Sequence, residues 1–164
     1  MGFDEKKVYL LLGSNLGDKH SLIADAITKI AEQVGTVFAQ SALYETEAWG
    51  KEDQPSFINA AIGVKTGLQP LQVLEKVLGI EQELGRTRME KWGARLIDID
   101  IILFDDEVVN EPDHLQIPHP QMQYRRFVLE PLAEIAPAQR HPLLQLTVSE
   151  LLQNLEDNLT VSKI

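Results

Sequence analysis

The 164-residue chain has no cysteine, which excludes disulfides, zinc–thiolate centres and thiol nucleophiles. No apolar run approaches the roughly 20 residues needed to span a membrane. The opening Met-Gly-Phe-Asp-Glu-Lys-Lys has neither the apolar stretch of a secretory leader nor the Ser/Thr of a myristoylation signal. Positive charge is also scarce: 15 Lys and Arg stand against 25 Asp and Glu, a net charge of −10. Such a surface argues against nucleic-acid binding, which rests on many basic contacts. These absences predict a cytoplasmic protein with no nucleic-acid or membrane partner. There is no internal repeat, low-complexity tract or linker, and the apolar fraction of 44% is ordinary, so residues 1–164 are expected to form a single domain with its own core.

What is present centres on Lys91-Trp92-Gly93-Ala94-Arg95-Leu96-Ile97-Asp98-Ile99-Asp100-Ile101-Ile102-Leu103-Phe104. β-Branched and apolar residues dominate from Ile97 on, which predicts a strand. Alternation along it places Asp98 and Asp100 on one face and Ile97, Ile99 and Ile101 on the other. Two residues of rise set the two Asp Cα atoms roughly 7 Å apart. Carboxylates so close in an apolar strand repel each other and lose hydration unless something pairs with them. A bare Asp-x-Asp can also be an edge strand whose acids face water. Here Arg86, Arg88, Lys91 and Arg95 lie just upstream with Trp92 among them. A cation-binding pair beside an arginine cluster suits a polyphosphate, with Mg²⁺ held by one or two carboxylates and completed by phosphates and water. Arg125-Arg126 is a second basic pair.

Taken in order, Lys7–Leu12 reads as a buried strand. Residues 13–18, Gly-Ser-Asn-Leu-Gly-Asp, read as a turn that could cradle phosphate but lacks the lysine and spacing of a P-loop. Leu22, Ile23, Ala26, Ile27, Ile30 and Val34 mark one helical face closed by Gly35. Residues 36–44 form a second strand, 45–55 a loop, and 57–65 a third strand with Phe57 and Asn59 on one face. Pro70 opens a second helix with a predicted buried stripe of Leu71, Leu74 and Leu78. Glu81 breaks that stripe, either as a marginal side chain or as a carboxylate aimed into a site, and Gly85 closes the helix. With the Asp98 strand, the order is that of the split βαβ, or ferredoxin-like, fold. The predicted class is therefore α+β: a βαββαβ core with two helices on one face of an antiparallel-rich sheet, extended by a C-terminal hairpin (107–118) and helices. Phe127–Leu129 starts the last core segment, 130–135 suits a short helix, and Thr147-Val148-Ser149-Glu150 matches a capping box.

Five blocks then carry a resemblance. They are Gly-Ser-Asn-Leu at 13–16, Asp-Gln-Pro-x-Phe-x-Asn at 53–59, Gly-Arg-x-Arg at 85–88, Trp-Gly-x-Arg-x-x-Asp-x-Asp at 92–100, and Pro-His-Pro-x-Met-x-x-Arg-x-Phe at 118–127. From about residue 8 to residue 137 the chain resembles the 6-hydroxymethyl-7,8-dihydropterin pyrophosphokinases of folate biosynthesis. The resemblance implies transfer of the β,γ-diphosphate of ATP to the pterin hydroxymethyl group, with AMP released. It implies two Mg²⁺ ions on Asp98 and Asp100, and a catalytic set of Arg86, Arg95, Asp98 and Asp100. Glu81, Arg88, Trp92, Arg95, His119 and Arg125 would bind ATP, with Glu81 near the adenine. Phe57 and Phe127 would sandwich the pterin ring, while Asn59, Thr46 (through its backbone) and Trp49 complete its site. Loops 45–55 and 86–95 would close over the ligands, and the site would be complete in a monomer.

The chain departs from the family pattern at Met89, where a lysine is common and Lys91 could substitute. It departs also at Trp49, aliphatic in some relatives, and at Arg126, where a small residue is common. Two other functions share features with the pattern. Nucleotidyl transferases also join a Gly-Ser turn to an Asp-x-Asp pair, but keep them close in sequence and release pyrophosphate rather than AMP. A non-catalytic ferredoxin-like module would tolerate loss of either Asp.

Overall fold

The computed structural model describes residues 5–15, 17–46, 56–85, 96–111, 113–156 and 160–164. Its strands are β1 (Lys6–Ser14), β2 (Thr36–Gln40), β3 (Tyr44–Thr46), β4 (Phe57–Thr66), β5 (Asp98–Phe104), β6 (Val109–Glu111), β7 (Leu115–Ile117) and β8 (Val161–Lys163). The helices are α1 (Lys19–Gln33), α2 (Pro70–Gly85), α3 (Arg126–Ile135) and α4 (Val148–Gln153). The main sheet runs β5-β1-β4-β3-β8, with β2 also paired to β4, and its ladders are antiparallel. Central β1, flanked by β4 and β5, is buried on both faces from Val8 to Ser14, which is why its sequence is a continuous apolar run.

Alternation divides the core in two. Val8, Leu10 and Leu12 of β1, Ile58, Ala60, Ile62 and Val64 of β4, and Ile99 and Ile101 of β5 pack with α1 and α2. Tyr9, Leu11, Ala61, Ile102 and Leu103 face the other way, onto α3 and α4. The register between β1 and β5 shifts between Tyr9 and Leu10. That irregularity puts consecutive Ile102 and Leu103 in the same cluster. The expected ferredoxin-like strand order and the two-helix face are present, and α3 and α4 cover part of the second face.

Several local expectations are revised. Gly13 and Ser14 belong to β1 rather than to a turn, and the buried Ser14 hydroxyl donates to the Leu96 carbonyl at 2.5 Å. The predicted strand 36–44 is two strands. Between them Ser41 donates its backbone N–H to Ala61 O and accepts the Ala61 N–H on its hydroxyl, and β3 continues into residues expected to be loop. Gly35 follows α1, but its need is close approach: a Cβ there would collide with the Lys65 carbonyl. The α2 stripe is displaced. Val73, Val77, Ile80 and Leu84 are buried, whereas Leu71 and Leu78 are 45% and 49% exposed. Both stripes satisfy helical spacing, and the β-branched one faces the sheet. Helix α3 runs unbroken through Pro131, because burying Val128, Leu129 and Leu132 outweighs the backbone bond that proline removes. The hairpin is present as β6–β7. The capping box is complete: Glu150 N–H donates to Thr147 Oγ1 and Thr147 N–H to Glu150 Oε1.

Candidate active site

Strand register places the functional side chains in rows on the face opposite α1 and α2. Asp98 pairs with Gly13, Gly13 with Asn59, and Asn59 with Tyr44. Directly opposed residues project to the same face, and neighbouring strands lie about 4.8 Å apart. Asp98 and Asn59 therefore stand roughly 10 Å apart, with a residue that has no side chain between them. A Cβ on Gly13 would sit 2.5 Å from Asn59 Nδ2, so the Asn59 amide occupies the space over Gly13. The next row pairs Thr46 with Phe57.

Asn59 and Thr46 are 4% and 3% exposed. Asn59 Nδ2 makes a long 3.5 Å contact to Leu12 O. Asn59 Oδ1 and Thr46 Oγ1 are buried without a hydrogen-bond partner. An unsatisfied buried polar atom costs about 1–3 kcal/mol, so a pair in adjacent rows marks a place built for a polar ligand edge. The orphaned group on Thr46 is its hydroxyl; its backbone lies between β4 and β8. Phe57 is half-buried in the Thr46 row. Half-buried Phe127 sits in the first turn of α3 against the second core cluster, and the Arg125 guanidinium lies 5.7 Å from its ring centroid.

The carboxylates behave as alternation predicts. Ile97, Ile99 and Ile101 are buried, Asp98 is half-buried and Asp100 exposed. Asp100 opens onto a cleft of about 290 Å³ beyond the β5 edge, lined also by Leu74, Leu78, Glu81, Ile99, His114, Gln116 and His119. Glu81 accepts the Ile99 N–H at 2.7 Å. This bond ties α2 to β5 and blunts an edge strand. It also explains the broken stripe: Leu74, Leu78 and Glu81 line the cleft, and the core stripe lies beside them. His114 and Gln116 were not singled out in the sequence, and Leu78 was read there as part of a buried stripe; the signal that could have moved Leu78 to the site was its shared spacing with Glu81.

His119 is half-buried at the other wall of the cleft. Its backbone N–H donates to Ile102 O and its Nδ1 accepts the Gln121 N–H at 3.1 Å. The neutral ring therefore carries its proton on Nε2. Burial pushes the imidazole below its ordinary pKa; the Asp100 carboxylate opposes that shift and the Arg125 guanidinium adds to it. Asp100, His119 and Arg125 thus form one electrostatic group. Trp49, Arg86, Arg88, Trp92 and Arg95, with Met89 and Lys91, lie outside the described residues.

A family model for 7,8-dihydro-6-hydroxymethylpterin-pyrophosphokinase matches residues 9–137. The chain belongs to this family. The similar protein of Bacillus subtilis (strain 168), a 2-amino-4-hydroxy-6-hydroxymethyldihydropteridine pyrophosphokinase, is 46% identical over 128 residues, 77% of this chain and 76% of that protein. The protein of the same name from Aquifex aeolicus (strain VF5) is 43% identical over 143 residues, covering 87% and 88% of the two chains. Among solved structures, the wild-type Plasmodium falciparum HPPK-DHPS superposes with a TM-score of 0.72 at 19% identity. That likeness covers 92% of this chain and 44% of the longer one, so the chain spans less than half of that protein, and the similarity concerns the fold. With pyrophosphokinase membership in place, the Asp98 row, the Asn59 amide and the Asp100 cleft become candidate parts of one diphosphate-transfer site.

Proposed function

We propose that these rows and the adjoining cleft form the active centre through which the chain transfers the β,γ-diphosphate of ATP to 6-hydroxymethyl-7,8-dihydropterin, releasing AMP in tetrahydrofolate synthesis. The observation that carries the reading is the Asp98–Gly13–Asn59 row, which sets a carboxylate roughly 10 Å from an orphaned amide on one face of the sheet. A pterin has a flat polar edge at one end and a reactive hydroxymethyl at the other. Asn59 offers donor and acceptor to the edge, Thr46 adds a hydroxyl, Phe57 and Phe127 supply aromatic faces for stacking, and Trp49 completes the site. The hydroxymethyl is then directed toward Asp98.

ATP is assigned to the cleft, with its base between Leu74, Leu78 and Glu81 and its phosphates reaching Asp100, His119 and Arg125. The His119 Nε2–H donates to a phosphate oxygen, and Arg125 neutralises phosphate charge. Arg86, Arg88, Arg95 and Trp92 are assigned to ATP binding, and Arg86 and Arg95 with Asp98 and Asp100 to catalysis. The donor set fits Mg²⁺. Among the described residues no group of three or more His, Asp or Glu converges, and a magnesium site needs only one or two carboxylates when phosphates supply the rest. Asp98 and Asp100 would hold two ions, whose chemistry is charge neutralisation on the entering and leaving oxygens.

In the reaction, the hydroxymethyl oxygen forms a bond to the β-phosphorus as the bond from that phosphorus to the α,β-bridging oxygen breaks; AMP carries that oxygen away and the hydroxyl proton is released to solvent. Positioning and electrostatics do most of the work in such transfers. The active unit is taken as a cytoplasmic monomer folded as one domain, since each proposed residue comes from one chain. Among the described residues no helix is long and apolar enough to cross a membrane. Incubation with ATP, Mg²⁺ and the dihydropterin tests the reading: AMP and pterin diphosphate in equal amounts support it, and free pyrophosphate contradicts it.

A further inference from the structure

The Asp98–Gly13–Asn59 row continues to Tyr44, and from Tyr44 to Lys163 of β8. The buried Tyr44 hydroxyl donates to Glu134 Oε1 at 2.5 Å. The same carboxylate accepts the Ala42 N–H at 3.2 and 3.3 Å and lies 3.9 Å from Lys163 Nζ. Behind it, Ile164 N–H donates to Leu43 O at 2.9 Å. Glu134 is next to last in α3, the helix that carries Phe127 in its first turn. Seven residues, roughly 10 Å of helix, separate them. One carboxylate therefore ties the far end of the Phe127 helix to the segment entering β3, the strand that carries Thr46 beside Phe57 and is paired to Asn59.

We propose that Tyr44 and Glu134 are a positioning pair that sets the separation between the two walls of the pterin slot, Phe127 on α3 and Phe57, Asn59 and Thr46 on β3–β4. The inference rests on the pterin reading of those four residues. Stacking an aromatic plane between two rings needs a fixed gap, because the attraction falls steeply once the faces part. A hydrogen bond from a buried phenol to a carboxylate is among the stronger ways to hold two elements at one distance. The edge strand β8 adds a ladder on the outer side of β3, so β3 is held by β4, by β8 and, through Glu134, by α3. The ATP cleft lies beyond β5, across the sheet from this clamp, and is not expected to sense it.

The test uses the full chain with Tyr44→Phe, Glu134→Ala and the double variant, read by kcat and by KM for each substrate, well below the measured unfolding midpoints. Tyr44→Phe is expected to raise the KM for the dihydropterin by about tenfold, with the KM for ATP and kcat held within about twofold. The double variant is expected to be no worse than Glu134→Ala alone, the non-additivity of residues acting through one contact. A role in folding alone would lower the active fraction, and so kcat, with both KM values unchanged; that result overturns the proposal, as does an equal rise in both. Asn59→Ala and Phe127→Ala serve as references. If they leave the pterin KM unchanged, the pterin reading falls and the clamp with it. If they raise it while Tyr44→Phe does not, the clamp alone falls.

Discussion

At the scale of the residue, Asp98 and Asp100 are distinguished by exposure as well as by face. Half-buried Asp98 sits in the Gly13–Asn59 row, and exposed Asp100 faces the cleft. Replacing either with Asn removes a charge and keeps the shape. Each change is expected to lower kcat by at least about a hundredfold with the unfolding midpoint little changed, measured by steady-state kinetics beside thermal denaturation. Turnover near the parent level in either folded variant would remove the metal assignment. Asn59→Ala should weaken the dihydropterin by about ten- to a hundredfold and leave ATP binding alone, measured by titration with each ligand. The face that Asp98, Asp100 and Asn59 each occupy was legible in the sequence because period-two alternation fixes it, whereas the place of Asn59 in a pterin site came from the family resemblance. The partners that give them meaning, Gly13 beside Asn59 and the Ile99 amide on Glu81, were not legible, since they depend on register between strands and on how a helix docks, and both are long-range facts.

Among the elements, α2 shows how a correct element can carry a wrong face. Its sequence holds two apolar stripes, and spacing alone cannot choose between Leu71/Leu74/Leu78 and Val73/Val77/Ile80/Leu84. Packing on the sheet chooses the second, turns Leu74 and Leu78, with Glu81, toward the cleft and leaves Leu71 exposed. Strand β8 left no signal, because a three-residue edge strand is specified by its neighbour β3 more than by its own residues. Helix α4 is the opposite case: its start was visible in Thr147 and Glu150 alone. It is only six residues long, so it depends on its cap and on buried Val148 and Leu151. Thr147→Ala, which removes the side-chain acceptor of the box, is expected to cost about 1 kcal/mol, a fall of roughly 2–4 °C in the unfolding midpoint, read by calorimetry with activity unchanged at 25 °C.

For the whole molecule, pH is the simplest probe of how the C-terminal region is held. Buried His141 accepts the Leu143 and Leu144 backbone N–H groups on Nδ1, at 3.2 and 3.1 Å, and burial pushes its pKa down. Its neutral form suits the fold, whereas the unfolded imidazole takes up a proton near pH 6.5. Below that value the unfolded chain binds more protons than the native one, so the contribution is full above about pH 6.5 and is lost as pH falls toward the depressed native value. His119 shifts in the same direction, so the parent profile combines both. His141→Asn, which keeps an acceptor near Nδ1 and cannot titrate, should flatten part of the acid-side fall in midpoint; an unchanged profile would remove His141 from it.

The central claim is that the two carboxylates and the orphaned amide sit on one face to join a diphosphate to a pterin. Product analysis tests it most directly: the purified chain, ATP labelled at the α- and γ-phosphates, and 6-hydroxymethyl-7,8-dihydropterin, with and without Mg²⁺. The account predicts that the α-label appears only in AMP and the γ-label only in the pterin diphosphate, in equal amounts, with neither formed when the metal is withheld. An α-label found on the pterin, with pyrophosphate released, would contradict it.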